Sequence, residues 1–210
     1  MKSTTRNSGP ASRTPTPQTA TVRRSALADR STSTALIATF AALIAACSLL
    51  TGPAVSGVPI TLQTFAVLLA GVVLGPWRGA GAVLLYIAVG LAGLPVFAGG
   101  KSGVVMLAGP TVGYLIAFPL AAALAGWWIH RARAGQWRAL AAHAGLAVAA
   151  ATIVIYSIGV PVLSARVGIP LSKAFLGNLV YLPLDAVKAA LAAIVGLSVL
   201  RAFPQLARAK

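Results

Sequence analysis

The chain has 210 residues, 58% of them hydrophobic and 9% charged, with a mean hydropathy of +0.88. Soluble domains carry about 25% charged residues, so this composition excludes an ordinary soluble domain and points to an α-helical protein that crosses a membrane repeatedly. The formal net charge of +15 arises from 17 Lys and Arg against two Asp. With no recognition motif beside it, that charge reads as topology signal and lipid-headgroup contact, not as a nucleic-acid surface.

Residues 1–31 are rich in Ser, Thr, Pro and Arg. They lack the apolar content to fold alone and are expected to form a disordered, basic cytoplasmic tail. The stretch does not read as a cleaved signal peptide, because no small-residue cleavage site follows a short apolar core. A six-helix transmembrane substrate-binding domain is expected over 32–203, followed by a short basic tail at 204–210. Its apolar segments fall near 34–50, 62–75, 79–94, 112–130, 139–163 and 174–200. The second and third are separated by the tight-turn pair Gly75-Pro76, which favours two helices over one. The fold class is thus an all-α polytopic membrane protein with six transmembrane helices. Charge orients it. With six spans and a cytoplasmic N-terminus, thirteen Lys and Arg fall inside: Lys2, Arg6, Arg13, Arg23, Arg24 and Arg30 of the tail, Arg78, Arg131, Arg133 and Arg138 of the fourth-to-fifth loop, and Arg201, Arg208 and Lys210 at the C-terminus, while Lys101, Arg166 and Lys173 fall outside. That asymmetry places both termini on the cytoplasmic side of the membrane.

The first segment carries small residues four apart, Ala38, Ala42 and Ala46, with a second stripe at Ala41 and Ala45. Such spacing lets helix backbones approach closely, either within the chain or on another membrane subunit. Cys47, the one cysteine, has no intramolecular partner and reads as a small packing residue. Gln63, in the stretch GVPITLQT that enters the second segment, places an amide near the outer surface. The loop 93–115, GLPVFAGGKSGVVMLAGPTVGYL, is Gly-rich and lies on the outside, where backbone can approach a ligand. Its Gly99-Gly100-Lys101-Ser102 imitates the end of a phosphate-binding loop, but Pro95 stands where the first Gly is required and no strand precedes it. Thr111 or Gly109 is a cap for the fourth helix, and Tyr114 puts a phenol one turn in. His130 and His143 do not form a metal site, and no internal repeat supports an inverted-repeat transporter.

The last segment is the most informative. Asp185 is an acid in the middle of an apolar run, and Lys188 follows one turn later. A lone charge at that depth is expensive, and a pair facing the protein interior costs less. Asn178, Tyr181, Asp185 and Lys188, spaced 3, 4 and 3, form one polar stripe on a helix that Pro183 kinks. The stripe is expected to face a cavity. Asp185–Lys188 reads either as a structural ion pair between helices or as an acceptor and donor side by side, suited to a neutral ligand bearing N–H and C=O groups such as a cyclic urea.

The stretches VPITLQTFAVLLAGVVLGPWRGAGAVLLYIAVGLAGLPVFAGG, GPTVGYLIAFPLAA and GNLVYLPLDAVKAAL resemble the BioY family, the substrate-capture S components of energy-coupling-factor (ECF) biotin transporters. The resemblance covers about 34–200 and departs from the family pattern at Val112 and Ser102, where many relatives have Gly. It implies an S-component-like fold of six helices with an outward-facing biotin pocket and no catalytic chemistry. It implies that Asp185 and Lys188 contact the ureido ring. Lys101 is then the candidate for the biotin carboxylate, and Phe97, Tyr114 and Tyr181 for the apolar parts, with Gln63 and Asn178 at the same site. It further implies a transmembrane coupling subunit, docked on the Ala38, Ala42 and Ala46 stripe, and two cytoplasmic ATPase subunits that use the ATP; no cofactor is bound by this chain. A reading of another class is a stand-alone proton-coupled carrier with Asp185 as its proton site; an intramembrane enzyme lacks any His–carboxylate or Ser–His grouping.

Overall fold

Helices dominate the computed structural model, which describes residues 17–55, 58–131 and 137–208. Lys2, Arg6, Arg13, Gly57, Arg133 and Lys210 of the sequence reading lie outside those residues. The chain divides into two units, 1–34 and 35–210. In the first unit, helix begins at Pro17, so residues 17–31 are helical where composition favoured a disordered tail. Pro17 suits the first helical position, and the Gln, Ala, Arg and Leu that follow are good helix formers.

The second unit holds the rest of α1 (Pro17–Leu49) and then a β-hairpin, β1 (Thr51–Val55) and β2 (Val58–Thr61), with Thr51 opposite Thr61 and Ala54 opposite Pro59. Next come α2 (Gln63–Leu74), α3 (Pro76–Leu91), a 3₁₀ turn (Val104–Leu107), α4 (Val112–Arg131) and α5 (Trp137–Val167). The chain ends with α6 (Leu171–Leu179), α7 (Leu182–Ala202) and α8 (Pro204–Arg208). Among the described residues, four stretches are long and apolar enough to cross a membrane: Arg30–Leu49, Val112–Arg131, Leu140–Val167 and Leu182–Ala202. The α2 and α3 helices are apolar but shorter.

The core is built around α2, which packs against α3, α4 and α7. Ten of its twelve residues are buried, which a helix apolar on all sides requires. Glycine sets how close its neighbours come. A Cβ at Gly71 or Gly126 would overlap the backbone of the facing helix, α4 or the α2–α3 turn. The turn itself is sharp because Gly75 takes φ +82° and Pro76 starts α3 without needing an N–H partner.

The sixth apolar segment is not one helix. It breaks at Val180–Tyr181, where the Tyr181 N–H turns back to the Asn178 carbonyl at 3.0 Å. The cause is Pro183. Proline is tolerated in the first turn of a helix and not in its interior, so the helix restarts, with Tyr181 at its N-cap and Pro183 in the first turn of α7. The expected single stripe is therefore shared by two helices: Asn178 lies on α6, Tyr181 at the break, and Asp185 and Lys188 on α7.

Candidate functional site

One cavity collects polar side chains from six helices, the hairpin and the Gly-rich loop. Counting the open space at its mouth, it offers about 730 Å³ of empty space. One wall is β2, through Val58, Pro59, Ile60 and Thr61; another is α4, through Tyr114, Leu115 and Phe118. All four tyrosines of the chain, Tyr86, Tyr114, Tyr156 and Tyr181, line it.

Its charged centre is on α7. Lys188 Nζ donates to Asp185 Oδ1 at 2.9 Å, one turn apart on the same face, and the lysine is only 4% exposed. Tyr156 on α5 donates its phenol to the other carboxylate oxygen, Oδ2, at 2.6 Å. Both oxygens are thus held, as a buried carboxylate requires. The ammonium has three N–H groups, and the acid takes one.

Around this centre the walls are held by specific bonds. Tyr114 donates to Asn178 Oδ1 at 2.7 Å, and the Asn178 amide donates to the Ala174 carbonyl at 2.8 Å, so the α6 side chain is fixed between α4 and its own helix. Tyr181 donates to the Val58 carbonyl at 2.6 Å, tying the helix break to the hairpin. Gln63, first residue of α2, belongs to a closed ring. Its Nε2 donates to Tyr86 Oη at 3.1 Å, Tyr86 donates to Ser48 Oγ at 3.0 Å, and Ser48 donates back to Gln63 Oε1 at 3.2 Å. The ring satisfies three buried groups from α1, α2 and α3 at the cavity edge.

Two aromatic walls are seated on glycine. The Phe97 ring occupies the space a side chain at Gly90 would fill, and the Tyr114 ring does the same over Gly159. Phe97 also meets Tyr86 edge to face, with centroids 5.5 Å apart at 86°. The Gly-rich loop reaches this position through a tight turn. Gly99 and Gly100 take φ +73° and +72°, the Phe97 N–H donates to the Lys101 carbonyl at 3.0 Å, and the Gly103 N–H reaches Gly90 O at 2.8 Å.

Of the candidates from sequence, Asp185, Lys188, Tyr114, Gln63, Asn178, Tyr181 and Phe97 all line the cavity. Lys101 does not: its backbone closes the loop turn, while its side chain is exposed and outside the lining. At the start of α4 the Thr111 carbonyl accepts from the N–H groups of Tyr114 and Leu115, the first bonds of the helix. Ala38, Ala42 and Ala46 are exposed on α1, whereas Ala41 is buried against the core. Sequence reasoning missed Tyr156, Tyr86 and the hairpin. The tyrosines had a signal, since a phenol inside an apolar run needs a partner.

A model of the BioY family matches residues 17–205. A protein of Rhizobium etli named biotin transporter BioY is 38% identical over 81% of this chain and 94% of its own length. The biotin transporter BioY of Thermotoga maritima is 37% identical over 67% of this chain and 79% of its own. A crystal structure of the S-component for biotin from an ECF-type ABC transporter superposes with a TM-score of 0.74 at 28% identity, covering 82% of this chain and 92% of that one.

Proposed function

The chain belongs to the BioY family, and on that premise we propose that it is the biotin-binding S component of an ECF-type vitamin uptake transporter. The observation that carries the reading is the cavity centred on Asp185, Lys188 and Tyr156. Biotin presents a cyclic urea with two N–H donors and one carbonyl acceptor. A carboxylate next to an ammonium matches that pattern, and the aromatic walls of Phe97, Tyr114 and Tyr181 suit the thiophane ring and the aliphatic chain. Gln63 and Asn178 supply neutral amides at the periphery. Capture is a binding event: the chain changes no covalent bond in its ligand.

The rest of the reading concerns the assembly. α1, α2, α3, α4, α5 and α7 form six crossings, α2 and α3 being short ones, with both termini in the cytoplasm of a prokaryotic cell membrane. The thirteen-to-three distribution of Lys and Arg supports this orientation. The cavity then opens outward. A transmembrane coupling subunit docks on the exposed Ala38, Ala42 and Ala46 face, where small side chains permit close backbone approach. Two cytoplasmic ATPase subunits supply the energy from ATP.

The test is calorimetric titration of the purified chain with biotin and with an analogue lacking the ureido group. Biotin should bind and the analogue should lose most of the affinity; equal affinities would remove the urea from the recognition. Reconstitution of the chain alone in liposomes separates the carrier reading, because biotin accumulation driven by a proton gradient without ATPase partners would overturn the assignment.

A further inference from the structure

At the opposite end of α4 from the biotin cavity lies a second, unrelated cleft. Its described lining is Trp127, Trp128 and Arg131 of α4 and His143 of α5, around about 740 Å³ of empty space including its open side. Trp127 stands nine residues beyond Phe118, about 14 Å further along the helix, so the two sites share no lining residue.

The chemistry of the cleft is one-sided. Two indoles, a guanidinium and an imidazole offer N–H groups, and the first two kinds have no side-chain acceptor. Among the described residues of this unit the only carboxylate side chain is Asp185, which is held in the cavity by Lys188 and Tyr156. The Arg131 guanidinium is also positioned. It lies 5.0 Å from the centroid of the Trp127 ring, stacked as a cation on an aromatic face. Trp127 is 49% exposed, a large cost in water and none at a bilayer boundary, where tryptophan concentrates.

We propose that this cleft binds one anionic glycerophospholipid, with the phosphodiester on Arg131 and the Trp N–H groups and the acyl chains along the adjoining face of α4, where Leu120 and Ile116 are exposed. Guanidinium matches phosphate by paired N–H donors, and charge complementarity selects an anionic headgroup over a zwitterionic one. The occupant is a lipid and not a soluble phosphate, because half of the lining is apolar indole surface at a membrane boundary.

The experiment is native mass spectrometry of the full chain released from detergent, with phosphatidylglycerol or phosphatidylcholine of the same acyl chains added at equal concentration. One phosphatidylglycerol should be retained per chain in clear preference to phosphatidylcholine. Arg131→Gln should lower its occupancy about tenfold and Trp127→Leu severalfold, while biotin affinity, an independent readout of folding, stays unchanged. Equal retention of the two lipids, or an Arg131→Gln chain that retains phosphatidylglycerol as before, overturns the proposal. So does binding of glycerol 3-phosphate as tight as that of the lipid, which would make this a soluble-phosphate site. Loss of coupling-subunit association in Arg131→Gln with unaltered lipid retention would reassign the cleft to protein docking.

Discussion

Replacing Asp185 by Asn tests whether the central ion pair is both a structural unit and a ligand contact. The substitution keeps shape and leaves Lys188, 4% exposed, without its anion. Removing one partner of a buried pair costs about 3–5 kcal/mol. Because Lys188 lines a cavity that is open on one side, the lower end, about 3 kcal/mol, is expected. The double variant Asp185→Asn with Lys188→Met removes the stranded charge as well, so stability should return to within about 1 kcal/mol of the parent. Biotin binding should not return. A site that has lost its urea acceptor and donor forfeits about 1–3 kcal/mol, roughly 5- to 150-fold in Kd. The assays are thermal unfolding in detergent and calorimetric titration of the same preparations. A double variant that binds biotin as tightly as the parent would show that the pair only shapes the pocket. An Asp185→Asn chain that melts at the parent temperature would refute the coupling of the two charges.

Other outcomes follow from single contacts. Tyr156→Phe keeps the ring but removes the donor to Asp185 Oδ2; biotin Kd should rise about threefold to tenfold, by titration, for a loss near 1 kcal/mol. Ser48→Ala opens the hydrogen-bonded ring and leaves Gln63 Oε1 without its donor, so unfolding should be easier by about 1–3 kcal/mol, seen as a lower melting temperature. Lys101→Ala removes a side chain outside the lining, and the biotin Kd should stay within about threefold, below 1 kcal/mol. Ala42→Phe adds bulk to the exposed face of α1: biotin titration should be unaffected, while biotin uptake by cells carrying the whole transporter should fall.

What could be read from the sequence divides along physical lines. Apolar runs gave the long helices because burial in lipid is a property of composition, and Gly75-Pro76 separated α2 from α3 because both residues have strong backbone preferences. The hairpin escaped. Gly52, Pro53, Gly57 and Pro59 read as loop, and its pairing depends on contacts such as Tyr181 to Val58 O that join positions 123 apart. The polar stripe is legible in its spacing, and its residues share one cavity, yet the break within it is not, since proline at a first helical turn and proline in a helix interior look alike in sequence. Lys101 is a cation in an outward Gly-rich loop, but sequence does not give the direction of its side chain: the turn at Gly99 and Gly100 brings its backbone to Phe97 and leaves the side chain exposed.

The shortness of α3 has an elastic consequence. Sixteen residues rise about 24 Å, against a hydrocarbon layer of about 30 Å. Unlike α2, this helix is not shielded: Leu84 and Leu85 are exposed. If α3 crosses as proposed, the acyl chains beside it would shorten or tilt, at a fraction of a kcal/mol per Å, on the order of 1–3 kcal/mol for the whole mismatch. Gly81 of α3 lies against Ile37 of α1, so the thinned patch that this crossing implies would adjoin the helix that carries Ala38, Ala42 and Ala46. A protein neighbour covering that patch would release the deformation, and on the proposed topology the bilayer itself would favour the assembled over the solitary subunit.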